Sequence, residues 1–183
     1  MKSRVLRKVE WTASEDCPRP DVSFMPMMER RRLSLVERAA LHVAWRVFND
    51  PEAAGDVSMP AADSVPVVFA SRWGEIGTTL KLMRQMHGDG EMSPAAFSAS
   101  VHNAAPGAWS LFTKNKSPYT AIAARDRTYE MGLLEAEAQL AAGPYRSVLY
   151  VYAEESTPAY YGAAFPKHEH AHATALFLTS NED

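Results

Sequence analysis

Cysteine is nearly absent: Cys17 is the one thiol in 183 residues. An internal disulfide is therefore impossible, which excludes a disulfide-built scaffold and fits a reducing compartment. Long apolar runs are missing too. The longest, residues 65–70 and 148–153, fall far short of the ~20 residues that cross a bilayer, so no membrane insertion is expected. The basic start, Met1-Lys2-Ser3-Arg4, is not followed by the apolar stretch of a secretory signal. Neither sign of charge dominates. A net charge of −3 gives no electrostatic reason to expect nucleic acid as a partner. The motifs that cradle phosphates or expose a serine nucleophile are also lacking. Gly88-Asp89-Gly90 has no following Lys and Ser/Thr, and neither G-x-G-x-x-G nor G-x-S-x-G occurs. What remains is a single cytoplasmic globular domain for which no cofactor is expected.

Prolines 18, 20 and 26 disfavour helix near the start, so residues 1–27 are expected to form an extended N-terminal arm and 28–183 the domain. Arg30-Arg31-Arg32 closes this region, as a solvated loop or as a salt-bridging patch at a helix start. Ser34-Leu35-Val36-Glu37 is a capping-box pattern. Val36, Ala40, Val43, Ala44 and Val47 continue at helical spacing until Asn49-Asp50-Pro51. Short apolar runs predict strands at 65–71, 119–124, 147–153 and 174–178. Helices are expected at 75–87, 94–102, 104–113 and 126–142, with Ser93-Pro94 starting one and Gly143 following another at C′. Strands alternating with helices indicate an α/β protein with a mixed, mainly parallel sheet.

Four clusters carry residues capable of chemistry. His168, His170 and His172 would share one face of a strand and could converge on Zn²⁺. No distant Cys, Asp or Glu can be matched to them, and a solvated loop leading into a strand accounts for them equally. Cys17, between Asp16 and Pro18, lacks the helix N-terminus or cationic neighbour that would stabilise a thiolate. Arg72 and Glu75 flank Trp73-Gly74 just past a strand, either at a ligand site beyond the strand's carboxyl end or as a salt bridge opening a helix. Ser100-Val101-His102-Asn103 is either an acyl-binding or catalytic loop or a hydrogen-bonded helix break, and its spacing favours the break.

Ser93-Pro94-Ala-Ala-Phe97-Ser98-Ala-Ser100-Val101-His102-Asn103-Ala-Ala-Pro-Gly107 resembles the N-terminal region of β-ketoacyl synthase-like proteins, relatives in the thiolase fold. Further segments match in order: Arg30 to Ser34, Val68 to Glu75, Tyr119 to Ala124, Glu130 to Ala136, and Val148 to Glu155 with Pro158 beyond. The resemblance spans roughly 28 to 178, and among family members it is to short ketosynthase-like proteins of aryl polyene-type pathways. It implies the N-terminal half of a ketosynthase fold. It also implies a cysteine nucleophile between the strand at 119–124 and the long helix. That junction here is Ala123-Ala124-Arg125-Asp126-Arg127-Thr128. The nucleophile position falls at Arg125 or Asp126, and Asp126 suits an N-cap for the helix. The family's paired catalytic histidines belong to a second half, and His168, His170 and His172 do not match them.

The resemblance thus implies a non-catalytic subunit similar to a chain-length factor. Its partner would be an active ketosynthase in a heterodimer that an acyl carrier protein visits. The product would be an aryl polyene, a polyketide or a fatty-acid-like chain. Phe97, Ser100, Val101 and His102 become acyl-tunnel candidates, and Trp109 is either tunnel wall or ordinary core. Tyr119, Thr120, Ala121, Ile122, Ala123 and Ala124 become interface candidates, and half a fold without its pseudo-symmetric partner is expected to leave an exposed apolar patch. The alternative is an acyl-thioester transferase or hydrolase using Ser100 and His102.

Overall fold

The computed structural model describes residues 3–50, 59–164 and 170–180. Its centre is a five-stranded mixed sheet in the order β1-β5-β4-β2-β3. The strands are β1 (Ser3–Thr12), β2 (Val67–Ala70), β3 (Tyr119–Ile122), β4 (Ser147–Glu154) and β5 (His172–Ser180). β3, β2 and β4 run parallel, while β5 is antiparallel to β4 and to β1. The helices are α1 (Met27–Arg30), α2 (Leu35–Asn49), α3 (Ile76–Asp89), α4 (Pro94–Ser98), α5 (Ala104–Thr113) and α6 (Thr128–Ala142).

Strand alternation divides the core into two layers. Val67 and Phe69 of β2, Leu149, Val151 and Ala153 of β4, and Ala173, Ala175 and Phe177 of β5 face α2 and α5. Their neighbours Val68, Ala70, Val148, Tyr150, Leu176 and Leu178 face α6. A strand covered on both faces must be apolar at consecutive positions, and all four residues of β2 are buried. α2 inserts Val36, Ala40, Val43, Ala44 and Val47 into the first layer, the stripe predicted from spacing. Trp109 of α5 is 3% exposed in this layer and stacks on Phe48, which makes it core.

Three local expectations are corrected. The residues expected as an arm carry β1, which pairs with β5 and buries Arg7, Val9 and Trp11. Arg7 donates to the Val47 carbonyl at 2.8 Å, tying the strand to the end of α2. The prolines that suggested an arm all lie beyond β1. α4 ends at Ser98 because serines capture its carbonyls: Ser98 Oγ donates to Pro94 and Ala95, and Ser100 Oγ to Phe97. Gly143 is the C-cap of α6 in an extended conformation rather than a left-handed residue at C′. Among the described residues no helix is long and apolar enough to cross a membrane.

Candidate functional site

The carboxyl ends of β4, β2 and β3 lie side by side, and β4 and β2 each deliver a polar residue there. β2 is followed by Ser71, whose N–H donates to the Ile122 carbonyl of β3 at 3.1 Å. β4 ends on Glu154, which is fully buried. Its carboxylate accepts from Ser71 Oγ at 3.2 Å and from the Arg72 backbone N–H. Ser71 Oγ in turn accepts the Gly74 N–H at 2.8 Å. That turn needs glycine twice over. Gly74 has φ +53°, and a Cβ there would stand 2.9 Å from His102 Cδ2.

The Arg72 side chain, 15% exposed, leans across the strand ends. Its guanidinium pairs with Asp126 and lies 4.6 Å from the Trp73 ring centroid. Arg72 and Glu75 therefore do not form the salt bridge that their spacing allowed. Glu75 is 3% exposed and accepts from Ser34 Oγ and Thr78 Oγ1, both at 2.8 Å. Burial, with the Glu37 carboxylate nearby, pushes its pKa up to about 8. Glu155 accepts the Gly77 N–H at 2.7 Å, and burial and Glu154 raise its pKa.

Beyond β3 the chain turns sharply into α6. Arg125 adopts φ +54°, a left-handed conformation uncommon outside glycine. Thr128 Oγ1 ties the turn by accepting from Ala124 N–H at 2.9 Å and donating to the Arg125 carbonyl at 2.7 Å. Asp126 is not the N-cap. Arg127 holds that position without a side-chain cap, and Asp126 is turned to Arg72 instead. The strong partner on the neighbouring strand end outcompetes a local cap.

The sequence-predicted residues separate into distinct surroundings. Ser100 Oγ donates to the Phe97 carbonyl at 2.7 Å, while His102 Nε2 donates to the Ser71 carbonyl at 2.7 Å. The hydroxyl and imidazole thus spend their hydrogen bonds on different carbonyls and do not form a nucleophile–base pair. His102 also meets the Phe69 ring edge-on at 5.9 Å, so it joins the strand-end site while Ser100 stays outside it. Phe97 and Val101 are 58% and 40% exposed. Tyr119 to Ile122 form β3, the edge strand, and Ala123 and Ala124 lead into the turn. Cys17 is exposed, with Sγ directed at the Arg19 carbonyl 3.6 Å away. His168 lies outside the described residues. His172 Nδ1 donates to the His170 carbonyl at 3.2 Å and packs on Tyr152, and no metal-holding group occurs among the described residues.

Spacing did not mark Ser71 and Glu154 as site residues. The available signal was Glu154-Glu155, two acids closing an otherwise apolar strand. A buried carboxylate needs donors, and the turn after β2 supplies them.

A profile of the family described as β-ketoacyl synthase, N-terminal domain, matches residues 6–183. The fold is similar to a solved ketosynthase in complex with its chain length factor from Xenorhabdus doucetiae. The TM-score is 0.72 at 25% identity, over 86% of this chain and 62% of that one. The ishigamide ketosynthase/chain length factor gives 0.71 at 16% identity, over 85% and 46%. A β-ketoacyl synthase from Burkholderia phymatum gives 0.61 at 18%, over 85% and 44%. The chain spans less than two thirds of the length of each. A search of curated protein sequences finds no match.

Proposed function

The chain belongs to the β-ketoacyl synthase N-terminal domain family, and from that premise we propose that it is a non-catalytic ketosynthase-like subunit, working as a chain-length factor does. The observation that carries this reading is the turn between β3 and α6. An active ketosynthase needs a thiol there, at a strand-to-helix junction where the helix N-terminus stabilises the thiolate. Here Arg125 occupies the sharp left-handed position, and Asp126 beside it is held by Arg72. Neither side chain can carry an acyl group as a thioester. We place the lost nucleophile at Arg125 because a residue displayed on such a turn adopts the strained backbone seen there.

The partner is an active ketosynthase, in a cytoplasmic heterodimer that serves an acyl carrier protein and builds an aryl polyene, polyketide or fatty-acid-like chain. The complexes among the structural neighbours support this reading. The void beside Trp109 is about 10 Å³, room for one water and not for an acyl chain. A tunnel would be completed by the partner, with Phe97 and Val101 exposed to wall it and Ser100 and His102 close behind. The heterodimer would form through β3. Val67 N–H donates to Pro118 O and Ser71 N–H to Ile122 O, so alternation turns the backbone groups of Tyr119, Ala121 and Ala123 to the open side.

Co-expression with the ketosynthase of the same pathway, followed by gel filtration, tests the assignment. A single peak holding both chains is expected, and two separate well-folded species would overturn it. In the reconstituted pathway Phe97→Ala should shift product length, and an unchanged distribution removes Phe97 from the tunnel wall.

A further inference from the structure

Away from the strand ends, the corner between the α1–α2 junction, α3 and α4 bounds a pocket of about 380 Å³. The reading above leaves it without a role. Its lining includes three cations, Arg31, Arg32 and Lys81. None of them belongs to an ion pair among the described residues, although the whole chain is net negative. Arg38 donates to the Arg30 carbonyl close by, and burial followed by the fields of Arg19 and Arg30 lowers its pKa. The three lining cations are solvent-exposed, and an anion seated among them would balance their charge.

Other parts of the lining have the opposite character. Glu37 is buried there, with Oε2 accepting from Ser34 N–H at 2.7 Å, and burial raises its pKa. Thr78 spends its proton on Glu75, so its hydroxyl has lone pairs left to accept with. A bare anion satisfies the cations and is repelled by Glu37. A ligand with one anionic end and hydrogen-bond donors behind it satisfies both. Lys81 and Gln85 also line an adjoining groove, with Arg84, of about 560 Å³, which leaves room for an elongated molecule.

We propose that this pocket binds a phosphate monoester whose organic part carries hydroxyl or amide N–H groups. The phosphate sits on Arg31, Arg32 and Lys81, and the donors turn to Glu37 and Thr78. The site is independent of the chain-length-factor reading, since none of these residues touches the β3–α6 turn or the edge of β3.

Titration calorimetry on the full chain tests it with two esters, ribose phosphate and phosphopantothenate. Ribose, pantothenate and inorganic phosphate are the controls. At least one ester should bind saturably, about tenfold or more tighter than its dephosphorylated form. Lys81→Ala and the double variant Arg31→Ala/Arg32→Ala should each weaken it by a similar factor, with Lys81→Arg restoring much of the loss. Which ester binds tells a polyol phosphate from an amide-bearing one. The proposal is overturned if neither ester saturates, or if both variants bind like the parent. It is equally overturned if inorganic phosphate binds as tightly as both esters, since the organic half would then contribute nothing. The wild-type comparison with the dephosphorylated controls decides the matter even where a variant folds poorly.

Discussion

Ser34 joins two roles in one side chain. It caps α2 through the Glu37 N–H at 3.0 Å and donates to Glu75 at 2.8 Å. Ser34→Ala should therefore cost about 1–2 kcal/mol or somewhat more in urea unfolding, the cap plus a hydrogen bond lost by a buried carboxyl. Glu75 sets a pH dependence whose sign follows from its raised pKa. The folded chain holds a proton on Glu75 up to about pH 8, whereas the unfolded chain releases it at an ordinary carboxylate pKa near 4.3. Between these values the folded state binds more protons, so the Glu75 contribution to stability falls as pH rises through the window. Thermal melts across that range should show Glu75→Gln with a flatter profile than the parent. Identical slopes would remove Glu75 from the account. The Arg72–Asp126 pair behaves differently, because the Asp126 side chain is 79% exposed. Asp126→Asn should change stability by less than about 1 kcal/mol. Sequence placed Arg72, Glu75 and Asp126 near the ends of strands. It could not choose their partners, since those partners sit 41 to 54 residues away in the chain.

α6 approaches the sheet closely at Gly132. A Cβ there would stand 2.7 Å from both Ala70 Cβ and Tyr150 Cε2. Gly132→Ala should destabilise by about 1–3 kcal/mol through forced separation of helix and sheet, read as a lower urea midpoint. The matching glycine–strand contact is invisible in sequence, where a glycine inside a helix is only a local weakness. β3 offers a second test. Ala121→Pro removes an N–H that points away from β2, so the isolated chain should keep its circular dichroism and melting temperature. Co-purification with the proposed ketosynthase partner should be lost if the two chains join by strand pairing. Retained co-purification would move the interface elsewhere. The capping box of α2 and the apolar runs of β2 and β4 were legible because they are local patterns. β1 was less so: its alternation is interrupted by a bulge between Val5 and Arg7.

At the scale of the molecule, several helices carry exposed large apolar side chains. Met83 and Met86 of α3, Phe97 of α4 and Leu111 of α5 are each more than half exposed, as is Leu134 of α6. Phe97 and Val101, exposed within one short stretch, are the residues the tunnel proposal rests on. Introducing a thiol by Arg125→Cys gives a prediction for the whole chain. The isolated variant should form no acyl-enzyme on incubation with an acyl thioester, as read by intact-mass spectrometry, because the Arg72–Asp126 pair stands beside the turn. A stable mass increase of one acyl group would mean that the turn alone retains the machinery.

Sequence by itself determined the α/β class, the helix stripes, the apolar strands and the family, because periodicity and ordered motifs are properties of short contiguous segments. It also determined that no cysteine stands between β3 and α6. Tertiary structure alone decided what surrounds that turn: Glu154 buried under Ser71 and the Arg72 N–H, and Asp126 turned from the helix it precedes toward Arg72. Packing three parallel strand ends together brings residues from separate segments within hydrogen-bond range. Buried charge then selects the partners that satisfy it, and that selection is written only in space.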